Sequence, residues 1–210
     1  MRPGLYAIVD IDALSRAGRD PLAFARAVLS HGPIAALQLR AKPLGSREML
    51  ALARAIAPLC RAAQTPFYVN DRADVAALAG ADGAHLGTAD LPLPDARRVF
   101  PGLRFGASSH TDDEVAAALA DGPDYLAFGP VFGTRSKADP SPTVGLDALR
   151  AVAARTTLPV VAIGGITLDN APAVRAAGAR AGAVIAALVV DEDRVADHAR
   201  ALHRALGGDE

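Results

Sequence analysis

The chain has 210 residues, of which 51% are hydrophobic and 21% are charged, and this globular composition excludes disordered, collagen-like and coiled-coil proteins. The formal net charge of −1 gives no excess of positive charge, so we expect no nucleic-acid partner. A single cysteine excludes a disulfide framework and a cysteine-rich metal site.

Short apolar runs alternate along the chain with Ala-, Arg- and Leu-rich stretches of helical period. We predict eight strands, at residues 5–9, 34–39, 67–69, 83–86, 103–107, 125–128, 159–163 and 182–186. Strands that alternate with helices require right-handed crossovers and a parallel sheet. Eight such units in this length favour a closed barrel over an open doubly wound sheet. The predicted fold class is therefore α/β, a single-domain (β/α)8 TIM barrel over residues 1–210.

Several polar residues are predicted to begin helices. Ser46 is a candidate N-cap after the second strand, and Thr167 is one after the seventh. Thr111 followed by Glu114 is the pattern of a capping box. The last helix is predicted over residues 195–206. Cys60 lies on an apolar helix face and is predicted to pack in the core.

The histidines have different predicted environments. His85 lies among apolar neighbours on a strand and is predicted to be a hydrogen-bonded barrel residue. His31, His198 and His203 are predicted to lie at the surface. His110 follows the fifth strand, where it could either catalyse or support the loop.

The sequence predicts neither a membrane-spanning segment nor a signal peptide. No apolar run approaches the roughly 18 residues that cross a bilayer, so we expect no membrane partner. The first residues reach Asp10 after a short apolar stretch, so we expect no signal peptide and a cytoplasmic protein. The pattern leaves open whether the chain forms a homo-oligomer.

Unusual polar residues cluster at the carboxyl ends of the predicted strands, where barrels of this class build their active sites. They are Gln38, Arg40 and Lys42 after the second strand, Asn70 and Asp71 after the third, Asp90 after the fourth, Ser108, Ser109 and His110 after the fifth, Thr134, Arg135, Ser136 and Lys137 after the sixth, and Gly164 and Gly165 after the seventh. Alternation places Gln38, Arg40 and Lys42 on one face, towards the barrel mouth.

Lysine is scarce in this chain. The 22 basic residues include only Lys42 and Lys137 as lysines, and both lie at predicted strand ends or in the loop after the sixth strand. Because guanidinium cannot replace a compact ammonium at every site, lysines retained against this background are candidates for chemistry.

The residue types at these strand ends predict two anion sites. Arg40, Lys42 and Lys137 are cations suited to an anion with more than one phosphate. Asp71 and Asp90 are hard oxygen ligands of the kind that hold Mg²⁺ together with a polyphosphate. The glycines after the seventh strand, with the eighth strand, offer backbone N–H groups for a second phosphate. Two structural alternatives remain: Asp71 could pair with Arg72 at the surface, and the glycines could form only a tight turn.

The motifs in order resemble the thiamine phosphate synthase family over nearly the whole chain. They are LYAIVD at 5–10, QLRAK at 38–42, YVNDR at 68–72, GADGAHLG at 80–87, GASSH at 106–110, GPVFGTRSK at 129–137 and AIGGI at 162–166. Members of this family join a hydroxymethylpyrimidine diphosphate to a thiazole phosphate, with one Mg²⁺ ion, and release pyrophosphate.

The resemblance implies a role for each matching residue. The residues implied to bind the pyrimidine diphosphate are Gln38, Leu39, Arg40, Ala41, Lys42, Asn70, Ser108 and Lys137, with Arg40, Lys42, Ser108 and Lys137 as catalytic residues. Asp71 and Asp90 are implied to hold Mg²⁺. The residues implied to bind the thiazole phosphate are Thr134, Arg135, Ser136, Gly165, Ile185 and Ala186.

The chain departs from the family pattern at several positions. Thr88 and Ala89 replace polar residues beside the Asp90 ligand position, and Gly133 and Ser136 replace Pro and Thr. On the eighth strand Ala181 replaces Asp, and Ala186 replaces a Ser, which removes a hydroxyl from the phosphate site.

Two alternative functions use the same motifs. The sister family of thiazole tautomerases shares the barrel and the phosphate site, and its proton-transferring His would correspond to His110. A non-catalytic binder of thiazole phosphate or thiamine phosphate is the other alternative. The retained lysines and paired carboxylates favour the synthase.

Overall fold

A computed structural model of the chain describes residues 1–133 and 142–209. Its strands form a closed parallel barrel in chain order, which confirms the predicted (β/α)8 fold. The strands are β1 Gly4–Asp10, β2 Ala36–Arg40, β3 Phe67–Asn70, β4 Gly83–Leu86, β5 Arg104–Ser109, β6 Tyr125–Phe128, β7 Val160–Ile163 and β8 Ala181–Val184. The barrel closes where β8 pairs with β1, with Gly4 opposite Ala181.

Helices follow the strands around the outside of the barrel. They are α1 Ile11–Arg16, α2 Pro21–Leu29, α3 Ser46–Ala62, α4 Ala73–Ala79, α5 Leu93–Val99, α6 Asp112–Asp121, α7 Gly145–Ala154, α8 Ala171–Ala176 and α9 Val195–Ala205, with short 3₁₀ helices at Ala186–Leu188 and Glu192–Arg194. In the part of the chain that the structure describes, none of them is long and apolar enough to span a membrane.

Strand residues point alternately into the barrel and towards the helices. On β1, Tyr6 and Ile8 belong to the inner buried cluster, whereas Leu5, Ala7 and Val9 pack in the outer cluster beneath the helices. This alternation determines which strand residues can reach the barrel mouth.

The eighth strand ends earlier than predicted. β8 stops at Val184, and Ile185, with φ −115° and ψ −81°, turns the chain into the 3₁₀ helix Ala186–Leu188. Ala186 was predicted within the strand, but it lies in this turn because the backbone leaves the extended region at Ile185.

Two of the predicted helix caps are wrong. Gly45, not Ser46, occupies the N-cap of α3, and the Ser46 hydroxyl accepts a hydrogen bond from Arg72 instead. Asn170, not Thr167, occupies the N-cap of α8, and its side-chain oxygen accepts from the Thr167 N–H.

The predicted cap at Thr111 is confirmed, but its reciprocal bond is not. The Thr111 hydroxyl accepts from the Glu114 N–H at 3.2 Å. The Glu114 carboxylate does not bond back to Thr111 as in a capping box. It accepts instead from the N–H of His110 at 2.6 Å, one residue earlier.

The prediction for His203 is wrong. This residue lies on α9 with only 7% of its surface exposed, and its Nδ1 accepts a hydrogen bond from the Leu5 N–H at 3.1 Å. The ring satisfies a backbone donor at the start of β1, which an amphipathic helix pattern does not reveal. The core position of Cys60 is confirmed, as is the hydrogen-bonded position of His85 inside the barrel.

Candidate active site

The carboxyl ends of β1 and β2 carry a buried ion pair. Asp10 and Arg40 are opposite one another in the strand register, and Arg40 Nη1 lies 2.5 Å from Asp10 Oδ2. Asp10 is almost fully buried, and its other oxygen accepts from the Ala13 N–H at the start of α1. Because both oxygens are held, Asp10 fixes the direction of the Arg40 guanidinium. Asp12 lies 3.7 Å from the same nitrogen.

Two carboxylates converge after β3 and β4. Lys42 Nζ lies 3.3 Å from Asp71 Oδ2, and Asp90 Oδ2 accepts from the Gly87 N–H at 2.6 Å. Burial raises the pKa of Asp71, and the neighbouring Asp90 raises it further through a hydrogen bond and charge repulsion, while Lys42 opposes the shift. Asp71 and Asp90 are therefore neighbours, as the sequence predicted.

The backbone of Asp71 is held in an uncommon conformation. Its φ is +64°, in the left-handed region, and its N–H donates to the carbonyl of His85 at 2.8 Å. Such conformations occur at binding sites where the surrounding structure imposes them. Arg72 does not pair with Asp71: its guanidinium bonds to Asp74 at 2.6 Å, so the alternative of a surface pair is wrong.

The donor set at Asp71 and Asp90 fits a magnesium ion. Within residues 1–133 and 142–209, no group of three or more His, Cys, Asp or Glu side chains could enclose a metal. Two carboxylates alone suit Mg²⁺, which takes one or two carboxylates and completes its shell with water and substrate phosphates. Burial is the main cause of the raised pKa of Asp71, but the charge of Asp90 adds to it, and a cation between the two carboxylates would relieve that repulsion.

The inner face of the barrel places further predicted residues at the mouth. Leu37 and Leu39 pack in the outer cluster, so Gln38 and Arg40 point inward, as predicted. Gln38 Nε2 lies 2.9 Å from the Tyr6 hydroxyl. The side chains of Leu39 and Ala41 are buried in the outer cluster and do not reach the mouth.

Asn70 and Ser108 also face inward. Asn70 is the last residue of β3 and is opposite His85 in the register. Ser108 Oγ lies 2.9 Å from His85 Nε2. The two residues thus approach the mouth from β3 and β5.

The glycines after β7 allow a close approach of the loop that follows β6. Gly164 and Gly165 have φ values of +99° and +63°, and a Cβ on Gly165 would lie 2.5 Å from the carbonyl oxygen of Gly133. The N–H of Phe132 donates to the Gly164 carbonyl at 3.1 Å. The absence of side chains at Gly164 and Gly165 therefore allows the start of that loop to pack closely against the end of β7. A tight turn alone would not need this close contact.

Only two of the other predicted phosphate-site residues lie in the part of the chain that the structure describes. Ile185 packs against the inner cluster, and Ala186 is exposed at the start of its 3₁₀ helix. Thr134, Arg135, Ser136 and Lys137 lie outside the described residues.

One ring nitrogen of His110 is held by the backbone. Its Nδ1 lies 2.5 Å from the carbonyl oxygen of Gly129. Since a carbonyl only accepts, this nitrogen carries the hydrogen, and the ring supports the chain that leaves β6.

The sequence did not identify three polar residues that orient this site. Asp10 orients Arg40, and the hydroxyls of Tyr6 and Tyr125 bond to each other at 2.7 Å inside the barrel. Tyr6 and Asp10 both lie in the LYAIVD motif, where alternation along β1 places them on the inner face. That alternation was the available signal.

Comparisons with known proteins agree with these motifs. A family model described as thiamine monophosphate synthase matches residues 5–188. A thiamine-phosphate synthase from Methanocella arvoryzae is 47% identical over 194 residues, covering 92% of this chain and 90% of that protein. Another, from Anaeromyxobacter dehalogenans, is 47% identical over 198 residues, covering 94% and 85%.

A solved structure shares both the fold and the sequence pattern. The thiamine phosphate pyrophosphorylase from Pyrococcus furiosus matches with a TM-score of 0.86 and 34% identity, covering 97% of this chain and 95% of that one. The match of the family model and the high identity over most of the length show that the chain belongs to the thiamine monophosphate synthase family.

Proposed function

We propose that the chain is a transferase that condenses 4-amino-5-hydroxymethyl-2-methylpyrimidine diphosphate with 4-methyl-5-(2-phosphooxyethyl)thiazole. The products are thiamine phosphate and pyrophosphate. Membership of the family supports this activity. The observation that carries the proposal is the convergence of Lys42, Asp71 and Asp90, with Lys42 Nζ 3.3 Å from Asp71. A cation beside paired carboxylates suits a diphosphate bound with a metal ion.

Asp71 and Asp90 are the residues that would hold one magnesium ion. When bound, the ion would neutralise charge on the departing diphosphate. Lys42 contacts Asp71 directly, and its side chain is about half exposed, so the ammonium can also turn towards a phosphate. The site would thus bring a diphosphate and its counter-ion together before reaction.

The proposed reaction is dissociative. The bond between the methylene carbon and the diphosphate oxygen breaks, and its electron pair leaves with pyrophosphate. The amino group of the pyrimidine delocalises the positive charge on the methylene carbon. The lone pair of the thiazole nitrogen then forms the new carbon–nitrogen bond.

Charge stabilisation and positioning supply the catalytic power in this scheme. Arg40, Lys42 and Lys137 stabilise the negative charge that develops on the leaving group. Gln38, Asn70 and Ser108 orient the pyrimidine, so that the carbon faces the thiazole. No strong general base is needed in this scheme, because the reacting thiazole nitrogen attacks with its own lone pair.

The second substrate is proposed to bind by its phosphate near β7 and β8. Gly165, Ile185 and Ala186, with Thr134, Arg135 and Ser136, are the proposed contacts. Ala186 has no hydroxyl, so the phosphate is held there by backbone N–H groups.

The test is to incubate the protein with both substrates and Mg²⁺ and to quantify thiamine phosphate and pyrophosphate. We expect equal amounts of the two products, and no turnover in EDTA. Asp71→Asn should abolish turnover. Asp74→Asn is the matched control, because Asp74 lies only three residues after Asp71 but pairs with Arg72 instead of Lys42. Absence of product from the unmodified protein, or full activity of Asp71→Asn in EDTA, would contradict the proposal.

A further inference from the structure

A continuous hydrogen-bonded chain crosses the barrel interior and joins two proposed substrate contacts. Gln38 Nε2 lies 2.9 Å from the Tyr6 hydroxyl, which lies 2.7 Å from the Tyr125 hydroxyl. Tyr125 lies 3.0 Å from His85 Nδ1, and His85 Nε2 lies 2.9 Å from Ser108 Oγ. We call these five residues the interior chain. They come from five different strands of the barrel.

The two tyrosines always contribute a hydrogen to the interior chain. Burial raises the pKa of Tyr6 and Tyr125 well above the ordinary value, so both hydroxyls remain protonated. Both tyrosines are buried, so leaving either hydroxyl hydrogen without an acceptor would be costly. This cost makes the hydrogen bonds of the interior chain all point in one direction.

The amide of Gln38 sets that direction. Gln38 Nε2 can only donate, so the Tyr6 oxygen accepts from it. The Tyr6 hydrogen then has Tyr125 as its acceptor, and the Tyr125 hydrogen has His85 Nδ1.

The direction continues to the barrel mouth. Since His85 Nδ1 accepts, the neutral ring carries its hydrogen on Nε2, which donates to Ser108 Oγ. The hydroxyl hydrogen of Ser108 is then directed to a hydrogen-bond acceptor of the substrate, such as a pyrimidine ring nitrogen. The opposite direction would make Ser108 donate to His85 and leave it only an acceptor for substrate.

We propose that Tyr6, Tyr125 and His85 are positioning residues, which couple the orientation of the Gln38 amide to the donor role of the Ser108 hydroxyl across the barrel. This inference rests on the proposed function, in which Gln38 and Ser108 bind the pyrimidine. The coupling fixes which atom of each hydrogen bond in the interior chain is the donor, and no proton is transferred.

Tyr6→Phe is the variant that tests the coupling, because it removes the link between Gln38 and Tyr125 while leaving His85 and Ser108 untouched. Without Tyr6, the Tyr125 hydroxyl can either donate to or accept from His85, so the tautomer is no longer determined. Tyr68→Phe is the matched control. Tyr68 is almost as buried, and its ring centroid lies 6.2 Å from that of Tyr6, but its hydroxyl faces the Arg104 side chain and does not belong to the interior chain.

The first readout is the tautomer of His85 in protein labelled with ¹⁵N-histidine, recorded without substrates at pH 8. His85→Gln identifies the resonances. We expect the Nε2–H tautomer in the unmodified protein and in Tyr68→Phe, and a mixture of both tautomers in Tyr6→Phe. An Nδ1–H tautomer in the unmodified protein, or an unchanged tautomer in Tyr6→Phe, would overturn the proposal.

The second readout is kcat for thiamine phosphate formation, with thermal melts to confirm folding. We expect a loss of roughly 10-fold in Tyr6→Phe and less than about 2-fold in Tyr68→Phe, because one link of a buried network is lost. Equal losses in both variants would show a general packing effect and overturn the coupling. Failure of the proposed function is separate, since it would show as absent product in the unmodified protein while the tautomer measurement stands.

Discussion

Arg40 Nη1 lies 2.5 Å from Asp10 Oδ2 at the last paired position of β1 and β2. The Arg40 side chain is 13% exposed and that of Asp10 is 1% exposed, so water contributes little to holding the guanidinium in place. The proposed diphosphate contact at Arg40 is therefore oriented by a carboxylate on the neighbouring strand.

We predict that Asp10→Asn lowers kcat roughly 10–100-fold, because the guanidinium loses the anion that orients it. Stability should fall by about 1–3 kcal/mol, less than for a fully buried pair, because Asp12 lies 3.7 Å from the same nitrogen. Steady-state kinetics and urea unfolding measure the two effects.

Asp20→Asn is the control for this substitution. Asp20 caps α2 by accepting from the Ala23 N–H, as Asp10 caps α1, but it has no role at the barrel mouth. Asparagine is as good an N-cap as aspartate, so the control should change neither property. Equal effects in the two variants would mean that capping, not the ion pair with Arg40, explains the loss.

The buried ring of His203 predicts an acid-sensitive stability. Burial lowers its pKa, and Arg2 lowers it further, while Asp209 acts in the opposite direction. Because the folded pKa lies below the unfolded value, the unfolded chain binds more protons as pH falls below about 6.5, the ordinary histidine pKa. The stabilisation is thus present above that pH and is lost as pH falls towards the folded pKa.

His203→Asn removes the titration and keeps a side-chain acceptor for the Leu5 N–H. We expect the free energy of unfolding to fall less between pH 7.5 and 5.5 in this variant than in the unmodified protein. His198→Asn on the same helix serves as the control and should retain the original pH dependence. Parallel curves for His203→Asn and the unmodified protein would contradict the prediction.

Local patterns predicted the barrel and much of its mouth. Alternation along β2 placed Gln38 and Arg40 on the inner face, and the order of the strands brought Asp71 and Asp90 together. These features depend on positions within one strand or on adjacent strands, which periodicity and the parallel barrel determine.

Most of the features that were missed depend on distant contacts, and the two helix caps depend on which of several neighbouring residues takes the N-cap position. Tyr6 and Tyr125 are 119 residues apart, and their bond depends on where two strands meet inside the closed barrel. His203 was assigned to the surface because nothing in α9 itself indicates that its ring accepts from Leu5, 198 residues away. Ser46 and Thr167 have capping chemistry, but Gly45 and Asn170 take the N-cap positions.

Lys137 remains a prediction from the sequence, since it lies outside the described residues. Its proposed contact is with charge that grows as pyrophosphate departs, so the interaction should be stronger in the transition state than with bound substrate. Lys137→Ala should lower kcat roughly 10²–10³-fold with little change in substrate binding. Lys137→Arg should restore only part, because a planar guanidinium does not replace an ammonium.

Single-turnover release of pyrophosphate, with thermal melts alongside, measures this effect. A Lys137→Ala protein that reacts at the original rate would contradict the catalytic role of Lys137. A protein that fails only because it unfolds would contradict the catalytic assignment as well.

Gly165 can be compared with Gly18 to separate two costs of adding a side chain, the cost of a left-handed backbone and the cost of a steric clash with the loop that follows β6. Gly165 and Gly18 have nearly equal φ values of +63° and +64°, but a Cβ on Gly18 would have no atom within 4 Å. A Cβ on Gly165 would lie 2.5 Å from the Gly133 carbonyl oxygen and 2.8 Å from Phe132 Cβ. Gly18→Ala should therefore cost only the left-handed conformation, about 1–2 kcal/mol.

Gly165→Ala should cost more than Gly18→Ala, because the loop start at Phe132 and Gly133 must move as well. That movement should also raise KM for the thiazole phosphate, whose proposed site includes Gly165 and the loop that follows Gly133. Urea unfolding and steady-state kinetics on both variants measure the two expectations. If the two substitutions lower stability equally and neither changes KM, the close packing of Gly165 against Phe132 and Gly133 has no bearing on the substrate site.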